Sequence, residues 1–88
     1  MKIPKTLRIG GHTYKIVFTT LENELGKCDY DKCIIYIEKD MVQSQKEATL
    51  IHEVFHALNS TMDEGLGHML LDSLSEQFYA VLKDNKLI

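Results

Sequence analysis

The chain has 88 residues, of which 44% are hydrophobic and 26% charged, and its formal net charge is -3. This length predicts a single domain with one modest core, and this composition excludes a disordered or fibrous chain. The ten lysine and arginine residues are spread along the chain, which argues against direct binding of nucleic acid. No signal-peptide pattern or membrane-spanning apolar run is present, so the sequence predicts a cytoplasmic protein that does not enter a membrane.

The first half of the chain has the pattern of β-hairpins. Apolar and polar residues alternate on both sides of Gly10-Gly11, which predicts two strands joined by a tight turn. A second hairpin is predicted from Lys27–Tyr30 and Cys33–Glu38, and the latter is the most strand-like segment of the protein because it is rich in isoleucine. Four strands are therefore expected before the first helix.

Two helices are predicted after the hairpins. Ser44 and Glu47 have the spacing of a capping box, which predicts the start of the first helix, and the helical periodicity ends at Asn59-Ser60. The second helix is predicted from about Glu64 to Lys83. Its predicted core stripe consists of Leu66, Leu70, Leu74, Phe78 and Val81. The order β-β-β-β-α-α predicts an α+β fold, with a small antiparallel sheet of about four strands followed by two helices.

The first predicted helix carries the motif His52-Glu53-Val54-Phe55-His56, an H-E-x-x-H pattern. Residues four apart lie on one helix face, so His52 and His56 can present two imidazole nitrogens to one zinc ion. Glu53 follows the first of these ligands and is placed to act as general base on a zinc-activated water. The alternative is an ordinary core helix whose histidines meet protein partners or solvent.

A catalytic zinc site needs a third protein ligand, and an acidic residue of the second helix is the economical candidate. At helical spacing, Asp72, Glu76 and Tyr79 fall on one polar stripe beside the apolar one. Less favoured candidates, nearer the loop, are Asp63, Glu64 and His68. The alternative interpretation of the stripe is a solvated helix face.

The segment Thr49–Leu58, the helix end Phe78–Asn85 and the β-rich N-terminal half together resemble a known family. They are similar to the small phage-encoded and prophage-encoded ImmA/IrrE-type zinc metallopeptidases, also called minigluzincins. The resemblance implies a zincin-like fold in which Asp72 is the third zinc ligand and Glu76 hydrogen-bonds a zinc-bound histidine. This chain has aspartate where the family usually has glutamate, and Glu76 as the direct ligand is the alternative.

These features predict a zinc-dependent metallopeptidase that hydrolyses peptide bonds by means of a water activated by Glu53. Tyr79 is the preferred donor to the oxyanion of the transition state. Other candidates for that role are Tyr30, Tyr36 and His68. The strand at Cys33–Glu38 is expected to be the sheet edge that pairs with an extended substrate. The resemblance implies a protein or peptide substrate, such as a repressor-type regulator of a phage or mobile element, in the cytoplasm of a bacterial host. The alternative function is a zinc-binding interaction or structural module without proteolytic activity.

Overall fold

Four strands and then two helices make up the computed structural model, which describes residues 1–88. The strands are β1 (Thr6–Ile9), β2 (His12–Thr19), β3 (Gly26–Asp29) and β4 (Ile34–Glu38). The helices are α1 (Gln43–Ser60) and α2 (His68–Asp84). This confirms the predicted α+β order of elements. Neither helix combines the length and the apolar character that crossing a membrane requires.

The four strands form one mixed sheet in the order β1-β2-β4-β3. The hairpins β1–β2 and β3–β4 are antiparallel, as expected, whereas β2 and β4 run parallel. The sheet therefore departs from the predicted antiparallel arrangement at one pairing. The reason is that each hairpin is encoded by its own turn, whereas the pairing between hairpins is a long-range choice made by the whole core.

The strand β4 lies inside the sheet and β3 forms its edge. The prediction that Cys33–Glu38 is the edge strand is therefore wrong. Ile35 and Ile37 of β4 are 0% exposed, and the interior position buries these side chains more completely than an edge would. The short polar strand β3 is left with one unpaired side, next to α1.

The helices form two further layers. α1 packs on β1, β3 and β4, and α2 packs on α1 without contacting the sheet. Leu50 and Ala57 of α1 close the hydrophobic core. The core residues contributed by the sheet are Ile9, Tyr14, Ile16, Ile35 and Ile37. This arrangement holds one face of α1 against the sheet and leaves another for α2.

The predicted capping box does not form. α1 begins after Val42, and no side chain caps its first turn. Glu47 is instead 1% exposed, with its carboxylate 3.1 Å from the amine of Met1 and 3.4 Å from the ammonium of Lys83. Because these tertiary contacts engage the carboxylate, it is not available to reach back to the start of the helix.

The helix α2 starts later than predicted, and it packs through a different face from the one predicted. It begins at His68 instead of near Glu64, and its buried residues are Leu71 and Ser75. Four of the five predicted core-stripe residues are exposed, with Leu70 at 59% and Val81 at 54%. The other two exposed members are Leu74 and Phe78. The side of α2 that carries Asp72 and Tyr79 meets α1, where both residues make the polar contacts described below.

Candidate metal centre

His52 and His56 present their side chains on the same face of α1, as the four-residue spacing predicts. Their Nε2 atoms are 3.0 Å apart, and their ring centroids are separated by 4.7 Å. Two imidazole nitrogens at this separation can bind the same ion, whereas they can share at most one proton with each other.

The second helix adds the carboxylate of Asp72 to this pair. Its Oδ1 lies 3.3 Å from His52 Nε2 and 3.5 Å from His56 Nε2, and one ligand atom from each residue lies within 4.8 Å of the others. Tetrahedral zinc with bonds of about 2.0–2.1 Å separates its ligand atoms by about 3.3 Å. The three ligand atoms therefore have the spacing of one face of a metal-binding tetrahedron.

Asp72 Oδ1 is itself an observation in favour of a metal ion. It is buried and has no hydrogen-bond partner. A buried polar atom without a partner is destabilising, and buried carboxylate oxygens are normally paired or coordinated. An ion bound between the two imidazoles and this oxygen would satisfy it, so the residues present fit a metal.

Ser75 orients the first imidazole. Its Oγ lies 2.9 Å from the carbonyl oxygen of Asp72, to which it donates, and 3.3 Å from Nδ1 of His52. Since the hydroxyl proton is used on the carbonyl, the oxygen is free to accept from Nδ1–H of His52. That tautomer leaves the lone pair of Nε2 directed at the metal position.

The electrostatics of the site favour metal-binding forms of its side chains. Burial lowers the pKa of His56, and the neighbouring imidazoles of His52 and His68 lower it further against the opposing effect of Asp72. A lowered pKa keeps the ring neutral, which is the form that binds metals.

Glu53 is 6% exposed and points from α1 toward β3. Burial raises the pKa of this carboxyl to about 7, with further contributions from the negative charges of Glu24 and Asp72. A carboxyl group that titrates near neutral pH in a cleft is suited to transfer protons. Gly26 of β3 makes this packing possible, because a Cβ there would lie 2.5 Å from Thr49 Cγ2 and 2.9 Å from Glu53 Oε2.

The other two residues of the predicted stripe lie further along α2. Glu76 is exposed and lines a cavity beside His52, while the contact with the imidazole of His52 comes from Ser75. Tyr79 donates its hydroxyl to Glu47 Oε1 at 3.2 Å, and its ring lines the same cavity. The pKa of Tyr79 is raised by burial and by this hydrogen bond to a carboxylate. The assignments of Glu76 as a metal-site residue and of Tyr79 as an oxyanion donor stay predictions.

His68 comes closer to the centre than sequence reasoning suggests. Its Nε2 lies 3.4 Å from Asp72 Oδ2, and its ring centroid is 5.0 Å from that of His56. The available signal is its position four residues before Asp72 on the same helix, which places both side chains on one face. By sequence alone His68 is a less favoured candidate, because it lies near the loop.

Two cavities flank the centre along α1. The first, of about 430 Å³, extends from His52 toward the N-terminal half of α1 and has β3 and α2 as its walls. The second, of about 290 Å³, adjoins His56 and His68 and follows β3 toward Tyr30. Gly26, His52 and Glu53 line both cavities, so the centre lies between them, beside the start of β3.

Comparisons of the chain with protein-family models, with curated proteins and with solved structures give no match. The description of the centre therefore depends on the residues and geometry of this chain. It is a possible metal-binding group formed by His52, His56 and Asp72.

Proposed function

We propose that this protein is a zinc-dependent metallopeptidase that hydrolyses peptide bonds of a protein or peptide substrate. The observation that carries the proposal is the convergence of three metal-ligand atoms, one of them a buried carboxylate oxygen without a partner, next to a buried glutamate in a cleft. Two nitrogens and one oxygen form a donor set that zinc accepts, and catalytic zinc sites keep a fourth position for water or substrate.

The proposed ligands are His52, His56 and Asp72. These residues would hold zinc, which when bound would supply a water of lowered pKa and a Lewis acid for the substrate carbonyl. Ser75 keeps His52 in the tautomer that binds through Nε2. His68 Nε2 lies 3.4 Å from Asp72 Oδ2, so Oδ1 is the oxygen of Asp72 that would hold the metal.

Glu53 is the proposed general base. Its carboxylate takes a proton from water, and the resulting carboxyl group passes that proton to the amine that leaves when the peptide bond breaks. In the metal-free protein the pKa of this carboxyl is raised to about 7, which favours the protonated form that the second transfer requires. Burial beside Gly26 and Thr49 is the largest cause of this raised pKa.

The free edge of β3 is the proposed binding site for the substrate backbone. β3 pairs with β4 on one side only, and its residues line both cavities next to Glu53. An extended peptide can add to such an edge through main-chain hydrogen bonds, which bind many sequences with little regard to side chains. This assigns to β3 the role that the sequence assigned to β4.

The family resemblance extends the proposal to a repressor-type regulator as substrate and to the cytoplasm of a bacterial host. A second candidate function is a zinc-stabilised interaction module without proteolysis. The exposed apolar stripe of α2 favours this candidate, because exposed apolar patches often mark sites of protein contact.

One experiment separates the two candidates. Zinc-loaded wild type and Glu53→Gln are incubated with a set of unfolded proteins, and new termini are identified by mass spectrometry. We expect cleavage by wild type only, with equal zinc content in both proteins. His52→Ala is the control that should lose zinc and cleavage together. If wild type produces no new termini across the set while it retains zinc, the peptidase proposal is refuted and the interaction module stands.

A further inference from the structure

We infer that the cavity on the N-terminal side of His52 receives a basic side chain of the substrate, and that Glu76 is the residue that selects it. We call this space the α1 cavity. This inference rests on the proposed peptidase function, because it names the substrate residue that lies next to the cleaved bond. It also gives a role to Glu76, which lies on the polar stripe of α2 but is not one of the three residues that could hold a metal ion.

The α1 cavity has the size and position of a side-chain pocket. Its volume of about 430 Å³ is at the lower end of the range for ligand pockets and is ample for one long side chain. It opens directly beside His52 and Glu53, so a side chain inside it belongs to a residue adjacent to the reacting carbonyl. Leu25 and Gly26, at the start of β3, form one wall and α2 forms the other.

The ionisable groups that line the α1 cavity are acidic, apart from the imidazole of His52. Glu53 and Glu76 contribute carboxyl groups, and no lysine or arginine lines the cavity. Glu76 takes part in none of the ion pairs of the protein and is exposed at the cavity wall. The carboxylate is therefore free to pair with a cation that enters from the substrate, and it repels an acidic side chain.

The apolar part of the lining fits the rest of a basic side chain. Leu25, Ala48 and the ring of Tyr79 provide surfaces for the methylene stem of lysine or arginine, which is commonly buried while its charged end reaches a polar group. The face of the Tyr79 ring can add a cation–π contact. Glu47 is already bonded to the Tyr79 hydroxyl and paired with Met1 and Lys83. Glu76 is therefore the acidic partner at this wall.

The second cavity differs in charge, which distinguishes the two sides of the cleaved bond. Glu53 and His52 line both cavities, but the second is also lined by Lys27 together with Glu24, and by His56 and His68. A cation there would meet a lysine as well as a glutamate. We therefore expect the preference for a basic residue at one of the two positions flanking the cleaved bond, and not at the other.

The test uses zinc-loaded protein and unstructured peptides that are identical except for one residue beside the cleavage site. That residue is Lys, Arg, Leu, Gln or Glu, and cleavage is measured as kcat/KM with the site confirmed by mass spectrometry. For wild type we expect Lys and Arg to exceed Gln by about twofold to fivefold, the size of a partly solvated ion pair. Glu76→Gln should abolish this preference, and Glu76→Lys should shift it toward Glu.

Asp84→Asn is the matched control, because Asp84 is an exposed acidic residue of the same helix that lines neither cavity. It should keep the preference of wild type. Cleavage that shows no dependence on the charge at Glu76 would overturn the inference and leave the proposed function intact.

A binding measurement keeps the inference testable without catalysis. Fluorescence anisotropy of labelled peptides with Glu53→Gln should give tighter binding of the Lys peptide than of the Glu peptide, and the double variant with Glu76→Gln should lose that difference. If wild type cleaves nothing but the binding difference depends on Glu76, the peptidase function fails while the assignment of the cavity holds. If neither cleavage nor binding depends on Glu76, the assignment of the cavity is refuted.

Discussion

Burial of Glu53 should make the stability of the protein depend on pH, and this dependence can be measured. The pKa of the carboxyl is raised from 4.5 to about 7, so the folded protein holds this proton more tightly than the unfolded chain does. Stability from this group is therefore fully present below pH 4.5 and is lost as the pH rises toward 7. If transmitted completely, this difference in pKa corresponds to about 3 kcal/mol; because part of the site is solvated, we expect about 1–2 kcal/mol.

Glu53→Gln should remove this loss, since the amide is neutral at every pH. In metal-free protein we expect the free energy of unfolding of the variant, relative to that of wild type, to increase by about 1–2 kcal/mol from pH 5 to pH 8. This corresponds to roughly 5–10 °C in Tm. Urea unfolding or calorimetry in the presence of a chelator measures the difference. Glu22→Gln, at an exposed glutamate between β2 and β3, should show no such change with pH. A stability difference that is the same at pH 5 and pH 8 would refute the reasoning.

Three further predictions concern the metal and its surroundings. Ser75→Ala removes the hydrogen-bond partner of His52 Nδ1, so zinc affinity measured by chelator competition should fall about 10-fold to 100-fold; unchanged affinity would contradict the assigned tautomer. Gly26→Ala places a methyl group 2.5 Å from Thr49 Cγ2 and 2.9 Å from Glu53 Oε2, and should cost about 1–3 kcal/mol in urea unfolding; a stability equal to wild type would show that α1 and β3 separate easily. Removal of zinc should lower the Tm of wild type. The free energy of unfolding should differ by about 3 kcal/mol between metal-free protein and protein in free zinc at a hundred times its Kd. A Tm that does not respond to zinc would exclude the metal site.

The local features of the fold were predictable from residue patterns. The Gly10-Gly11 turn forms with positive φ at both glycines, as two alternating runs around a glycine pair predict. The end of α1 at Ser60 also agrees with the prediction. These features depend on residues close in sequence, where turn geometry and helical periodicity dominate.

The errors all come from long-range contacts. Glu47 has the spacing of a capping residue, yet burial beside Lys83 and Met1 engages it elsewhere. Leu70 and Leu74 have the spacing of a core stripe, yet the polar stripe of α2 faces α1. A local pattern shows which side chains share a helix face, but it does not show which face meets the rest of the protein.

The sequence by itself determined the chemistry that is possible at the centre of α1. His52 and His56 lie on one face, with Glu53 beside them, because a helix places residues four apart together whatever surrounds it. The tertiary structure decided which other groups complete the site. It brought Asp72 Oδ1 to the imidazoles and Ser75 to His52, and it placed Gly26 of β3 against Glu53. Those distances depend on how α2 and the sheet pack on α1, and such packing is set by the whole core, not by any single segment.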